Sequence, residues 1–114
     1  MKRKRLQKVN EEIRRILSDV LLFEMKDPRL NGVVSITHVD TAADLKSAKV
    51  YISSLASDLS EEELMKILQG AKGYFRKRLG DQLELYSTPE ILFHYDDSIA
   101  KAMEMEELFK KLNQ

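Results

Sequence analysis

Gly70-Ala71-Lys72-Gly73-Tyr74-Phe75-Arg76-Lys77-Arg78 interrupts an otherwise helical pattern, and its reading decides how the chain folds. Leu64, Leu68, Ala71, Phe75 and Leu79 recur at three- and four-residue spacing, which gathers them on one stripe of a helix. Gly70 and Gly73 bracket Ala71 inside that helix. Each glycine costs roughly 1 kcal/mol relative to alanine in a helix interior. The pair predicts a kink or break at Ala71. Gly80 is placed to end the segment. Upstream, Ser60-Glu61-Glu62-Glu63 reads as a capping box that starts it. A helix restarting near Gly73 would present unpaired N–H groups and the positive end of its dipole, where a phosphate can lodge. Lys72 and Arg76 fall on one flank, Tyr74 and Arg78 on the other, and Tyr74 can stack on a base. The same pattern also fits a kinked core helix with solvated basic residues and Tyr74 in the packing.

Working outward, residues 46–53 alternate, with Ala48, Val50 and Ile52 on one side and Lys49, Tyr51 and Ser53 on the other. That predicts a strand with one buried face. Residues 33–39 are rich in β-branched side chains and predict a second strand, joined to the first through a short hairpin link at Asp40–Leu45. Residues 6–24 predict an amphipathic helix with Leu6, Val9, Ile13, Ile16, Leu17, Val20 and Leu21 on its apolar face. It must end before Pro28, and Asn31-Gly32 supplies a turn. Downstream, Pro89 suits the start or edge of a strand over 90–95. Asp96-Asp97-Ser98 then offers caps for a last helix over 98–112, with Ile99, Met103, Leu108, Phe109 and Leu112 as its apolar positions. The order α-β-β-α-(kink)-α-β-α fits one small α+β domain spanning residues 1–114, frayed at 1–5 and 113–114.

The chemistry is sparse. With 114 residues and no cysteine, disulfides, thiolate metal sites and cysteine nucleophiles are excluded. No apolar run approaches the roughly 18 residues of a membrane span, so a soluble cytoplasmic protein is expected. His38 and His94 have no ligand-spaced partner and read as ordinary strand positions. Asp96 and Asp97 read as helix caps rather than a carboxylate pair for acid–base or metal work. In Asp27-Pro28-Arg29 the aspartate organises a turn, and Arg29 pairs with it or reaches a phosphate. No phosphate loop, dinucleotide fingerprint or catalytic triad is present, so a binding protein is favoured over an enzyme. Nineteen basic residues balance nineteen acidic ones, yet they are unevenly spread. Residues 1–15 hold seven cations against Glu11 and Glu12, and residues 72–78 hold four cations and no acid. If these two segments converge, they make a positive face for phosphates.

Five stretches in order carry a family likeness: Lys26-Asp27-Pro28-Arg29-Leu30; Asp44-Leu45-Lys46-Ser47-Ala48-Lys49-Val50-Tyr51-Ile52-Ser53; Ala71-Lys72-Gly73-Tyr74-Phe75-Arg76; Pro89-Glu90-Ile91-Leu92-Phe93; and Asp96-Asp97-Ser98-Ile99. On these the chain resembles the ribosome-binding factor A family of bacterial small-subunit assembly factors over nearly its whole length. The resemblance implies an α+β, type II KH-like fold: a three-stranded mixed sheet with helices packed on one face. It also implies that an Ala-x-Gly kink, here Ala71-Lys72-Gly73, replaces the GxxG loop of RNA-binding KH domains. The implied function is binding of the free 30S ribosomal subunit and late maturation and processing of 16S ribosomal RNA, notably at low temperature. The implied partners are the 30S subunit and its 16S RNA, with a release GTPase as a further candidate. No cofactor, metal or membrane is implied, and a monomer is expected.

On this reading Lys2, Arg3, Lys4, Arg5, Lys8 and Arg15, with Arg29, Lys72, Arg76, Lys77 and Arg78, neutralise phosphates, and Ala71 to Gly73 lets an RNA backbone approach. Tyr86 and Leu92 stand where related chains often carry arginine, so the third strand is left out of the RNA face. Shape is expected to matter more than base sequence, because no row of aromatics on a sheet face is evident. Three alternatives from other classes remain: a protein–protein module using the sheet edge or the acidic 57–63 segment, a KH-like RNA-binding protein outside the ribosome, and a small nuclease using Asp96 and Asp97.

Overall fold

Alternation along Ser47–Leu55 turns Ala48, Val50 and Ile52 to one side, where all three are buried, and leaves Lys49 exposed on the other. In the computed structural model, which describes residues 3–30, 33–55 and 58–113, this strand (β2) is the centre of a three-stranded mixed sheet. β1, Val33–Thr41, pairs with it antiparallel, and β3, Glu90–Tyr95, pairs with it parallel. The hairpin between β1 and β2 is tight. Ala42 N–H donates to the Ser47 carbonyl at 2.9 Å, and Leu45 takes a left-handed φ of 61°. Asp44 Oδ1 supports that turn by accepting the Lys46 N–H at 3.0 Å. The expected turn at Asn31-Gly32 lies outside the described residues.

Helices cover the face that carries Ile36, Val39, Ala48, Val50, Ile52, Ile91 and Phe93. α1, Arg3–Asp19, contributes Ile13, Ile16 and Leu17, and its spacing is the one the sequence predicts. Residues 3–5, expected to be frayed, are already helical, and the pitch changes at the far end. Val20–Glu24 form a π-helical turn, closed by a bond from Met25 N–H to the Val20 carbonyl five residues back at 3.1 Å. At the other end of the layer, Asn10 Oδ1 accepts the Thr41 N–H at 2.8 Å and pins α1 to the end of β1.

The predicted break over the glycine stretch divides it into two helices. α2, Glu61–Gly70, opens on the capping box: Ser60 Oγ accepts the Glu63 N–H at 3.1 Å and Glu63 Oε1 accepts the Ser60 N–H at 3.2 Å. α3, Lys72–Gln82, follows after a break at Ala71. Phe75 of α3 is buried edge-on against Phe93 of β3, with ring centroids 5.5 Å apart. Gly80 does not end this helix, which continues to Gln82. A Cβ there would come within 2.7 Å of Thr88 Oγ1, so glycine serves close packing against the segment before β3. The helix stops instead where Leu83 turns extended, at φ −88° and ψ 123°.

α4, Ser98–Leu112, matches its expected span but buries none of its residues. Ile99, Met103, Leu108, Phe109 and Leu112 are all exposed. The capping expectation holds for one aspartate only. Asp96 Oδ1 accepts the Ser98 N–H at 2.9 Å, whereas the Asp97 carboxylate makes no cap bond and pairs with Lys101 at 3.1 Å.

The sheet face away from the helices corrects another expectation. His38, Tyr51 and His94 are register neighbours on β1, β2 and β3, with ring centroids 5.6 and 5.5 Å apart. A β-bulge makes this row: register shifts between Ile36 and His38, so His38 rather than Thr37 stands opposite Tyr51.

Thr41 is the buried residue whose hydroxyl finds no hydrogen-bond partner among the described residues. Replacing it with the near-isosteric Thr41→Val should raise stability by about 1 kcal/mol. The check is a higher urea midpoint at unchanged slope.

Candidate nucleic-acid interface

The break at Ala71 follows from its neighbours. Ala71 N–H still reaches back to the Ile67 and Leu68 carbonyls, both at 3.1 Å, but its own φ and ψ of −97° and 3° leave the helical well. Phe75 N–H to the Ala71 carbonyl, at 3.1 Å, is the first rung of the new ladder. The amides of Lys72, Gly73 and Tyr74 precede it and have no partner within α3. Gly73, Lys77 and Gly80 follow one another along the exposed side of α3. With Arg76, Asp81 and Thr88 they line one shallow, open depression.

Cations flank this glycine-bearing strip on both sides. Toward β3, Lys72 lies 3.8 Å from Glu90, and Arg76 donates to the Thr88 carbonyl at 3.0 Å. Toward α1, one carboxylate organises the flank. Glu24 Oε1 accepts from the Tyr74 hydroxyl and from Arg78 Nε, the latter at 2.9 Å. Arg78 also reaches Asp81 at 3.1 Å. These bonds, first from Tyr74 and then from Arg78, hold the Glu24 carboxyl below its ordinary range. The Tyr74 phenol is pushed up by the same carboxylate. Tyr74 is thus neither core nor free: it is exposed and held by its hydroxyl at the rim of the kink.

The two basic segments do not converge. Glu24, at the end of the α1 layer, is the residue that touches Tyr74 and Arg78. Lys8 lies sixteen residues before it, about 24 Å away along a helix axis. Arg3, Lys4, Arg5 and Lys8 therefore form a separate exposed cluster at the opposite end of α1. Lys2 lies outside the described residues. Arg15 pairs with Glu12 at 2.6 Å and with Asp19 at 3.8 Å. Arg29 makes a two-toothed pair with Asp27, Nε to Oδ1 at 3.0 Å and Nη2 to Oδ2 at 2.6 Å, inside the turn that Leu30 N–H closes on the Asp27 carbonyl. Lys77 has no ion pair among the described residues. Sequence reasoning missed Glu24, whose role depends on a contact fifty residues away in the chain.

Among the described residues no group of three His, Asp or Glu side chains could hold a metal ion. Asp96 is occupied by the Thr37 hydroxyl at 2.6 Å and by Ser98, and Asp97 by Lys101. No described helix is long and apolar enough to cross a membrane.

A three-stranded mixed sheet with a broken helix pair crossing one face defines a KH-like α+β domain. The ribosome-binding factor A model matches residues 5–109. A ribosome-binding factor A from Halothermothrix orenii is 41% identical over 114 residues, covering 100% of this chain and 93% of that one. One from Clostridium perfringens is 42% identical over 109 residues, covering 95% and 94%. The chain belongs to the ribosome-binding factor A family. Among solved structures, an NMR structure of a Thermotoga maritima protein assigned to ribosome binding factor A has 34% identity and a TM-score of 0.72, covering 82% of this chain and 89% of that one. Ribosome binding factor A of Thermus thermophilus, fitted into a cryo-EM map of its complex with the 30S subunit, has 19% identity and a TM-score of 0.64, covering 77% and 91%. At that identity the likeness is one of fold.

The turn and strand-end carboxylates outside the kink give the fold a pH signature. Arg29 holds Asp27 down to about 2, and Asp96 is held at about 2 first by Thr37 and then by Ser98, against an ordinary 3.8 for both. A depressed carboxylate stabilises the fold above its unfolded value, and that contribution is lost as pH falls toward the folded one. Stability should therefore drop between about pH 4 and pH 2. The urea midpoint of an Asp27→Asn, Asp96→Asn double variant should fall less steeply across that window.

Proposed function

We propose that the chain is a non-enzymatic ribosome assembly factor that binds the free 30S subunit by contacting 16S ribosomal RNA. On this reading it supports late maturation and processing of that RNA, notably at low temperature. It acts in the cytoplasm as a monomer, and a GTPase cooperates in its release. Membership of the ribosome-binding factor A family supports this reading, as does the 30S complex of the Thermus thermophilus relative.

One observation carries the choice of the kink as the contact. A Cβ built on Gly73 meets nothing within 4 Å, and its φ lies outside the left-handed region. Neither packing nor backbone conformation within the chain demands glycine there, although glycine costs roughly 1 kcal/mol in a helix relative to alanine. Close approach by a partner's backbone supplies the missing reason. The strip beside it carries Arg76 and Lys77, so a phosphate chain is the partner whose charge fits. Part of the cationic rim is already neutralised by Glu24, Asp81 and Glu90, and exposed pairs of this kind are worth only about 0–1 kcal/mol each. Phosphates can displace them at small cost.

The test is co-sedimentation with separated small subunits, large subunits and whole ribosomes at two salt concentrations. Wild-type protein should travel with small subunits alone and dissociate as salt rises. Gly73→Ala should unfold at slightly higher urea, by about 0.5–1 kcal/mol, while losing small-subunit binding. Arg76→Glu with Lys77→Glu should weaken it further. Wild-type binding by the folded Gly73→Ala, Arg76→Glu, Lys77→Glu triple variant would remove the kink from the interface. Absence of wild-type binding at low salt would remove the 30S reading itself.

A further inference from the structure

The sheet face opposite the kink holds a second arrangement that the reading above does not use. His38, Tyr51 and His94 lie side by side across all three strands. The His38 and Tyr51 rings are tilted by 39°, and the Tyr51 and His94 rings stack at 29°. Both histidines are exposed and Tyr51 is half-buried, so the row is open to solvent. No described helix buries it: α1, α2 and α3 pack on the other face, and α4 buries none of its residues.

The surroundings select the occupant. Ser35, Asp40, Ser47, Lys49 and Glu90 surround the rings on this face, with Leu92 beside Lys49 and the Val33–Leu55 pair at its far end, so an apolar helix laid along the ring row would meet mostly polar side chains. Three adjacent flat rings are suited to flat π-systems. Charge comes from one side. Gln7, Asn10 and Arg14 lie on one line of α1, with Arg3 a turn further out. The groove between that line and β1 is lined by Gln7, Asn10, Glu11, Arg14, Thr37 and His38, together with Val39. It therefore runs from Gln7, one turn from Arg3, to the first ring of the row. Arg14 has no ion pair among the described residues, and neither has Lys49, two residues from Tyr51 on β2. Asp40, Glu90 and Asp96 are acids on the face, and Asp96 accepts from the Thr37 hydroxyl at 2.6 Å and from the Ser98 N–H at 2.9 Å. Asp40 is opposite Lys49 in register, and Glu90 faces Lys72 at 3.8 Å.

We propose that this groove and ring row bind unpaired, single-stranded RNA, with bases stacked on His38, Tyr51 and His94 and phosphates along Arg14 and the basic start of α1. The proposal rests on the RNA-binding reading above and adds to it a second contact, of different chemistry, on the opposite face. Duplex RNA has its bases already stacked and gains nothing from the rings. Selection of unpaired over paired bases then enters through the sheet, and backbone shape through the kink.

The test uses the full chain and a fluorescently labelled oligoadenylate of about eight nucleotides, with a blunt RNA duplex as comparison. Tyr51→Thr with His94→Thr keeps β-forming residues on the strands, and its urea midpoint reports whether it folds. A folded double variant should lose at least about tenfold in oligoadenylate affinity and little in duplex affinity. Tyr51→Phe, which keeps the ring, should bind as wild type. In wild-type protein the aromatic NMR signals of His38, Tyr51 and His94 should shift as oligoadenylate is added, which needs no variant to fold. Unmoved ring signals at saturation, undiminished binding by the folded double variant, or no wild-type binding of the oligonucleotide would each overturn the proposal. Small-subunit co-sedimentation separates the two readings. Wild-type protein that binds subunits but ignores oligoadenylate sinks the ring platform alone. Protein that engages oligoadenylate through its rings but leaves subunits unbound sinks the assembly-factor reading alone.

Discussion

Parallel pairing of β2 with β3 is the constraint on which this molecule rests. A parallel neighbour cannot be reached by a tight turn, so the chain must leave the end of β2, cross one face of the sheet and return to the start of β3. Here α2 and α3 make that crossing. The crossing must bend to follow the sheet, and the break at Ala71 lets two short helices present Leu64, Leu68, Phe75 and Leu79 to the same core. The break leaves the first amides of α3 without acceptors inside that helix as a by-product of covering the sheet. The site is thus a consequence of the crossover rather than an ornament on it. The same crossing commits α2 and α3 to one face, and the opposite face keeps its polar and aromatic side chains in solvent.

Electrostatics within the kink region are local and nearly self-cancelling. Glu24 binds Tyr74 and Arg78, Glu90 faces Lys72, and Asp81 shares Arg78. This explains how a chain with equal numbers of acids and bases can still offer a cationic rim. Glu24 and Glu90 sit at the flanks, while Asp81 lines the depression with Lys77, which stands on the strip itself. Each internal pair also fixes a side chain that would otherwise lose rotamer freedom on meeting a phosphate. The π-helical turn at Val20–Glu24 belongs to the same device. One extra residue in the last turn buries Val20 and Leu21 while Glu24 reaches α3.

Much of the fold was legible because its signals are local. The Ser60 capping box, the alternation in β2, the break at Ala71 and the strand beginning after Pro89 each follow from a few adjacent residues. Failures came where a distant partner decides. Gly80 reads as a stop, yet Thr88 makes it a packing contact within a continuing helix. The pitch change at Val20 leaves no mark in the apolar spacing. The ring row was invisible because it depends on a bulge in β1 and on the parallel register of β3, neither of which a single strand encodes. For the candidate site, residue types and the kink were legible, but grouping was not. Arg76, Lys77 and Gly73 share one depression, Arg78 turns to Glu24, Arg29 turns to Asp27, and the α1 cations lie at the far end of their helix.

That separation bears on what kind of partner the molecule can engage. The glycine strip and the ring row lie on opposite sides of the sheet, so no short ligand reaches both. A single strand that uses the rings meets the basic start of α1, whereas a backbone that uses the kink meets Arg76 and Lys77. One partner touching both must either wrap an edge of the sheet or bring two RNA segments to opposite faces. Its edges differ. β1 is long and bulged and borders the α1 groove, while β3 is short and begins after the buried Pro89. Wrapping past β1 takes a phosphate chain beside Arg14 and Glu11, with the Asp96 carboxylate bonded to Thr37 of β1, whereas wrapping past β3 takes it beside Glu90. On the proposed reading, a large folded RNA with both paired and unpaired segments is the kind of partner that can occupy both faces at once.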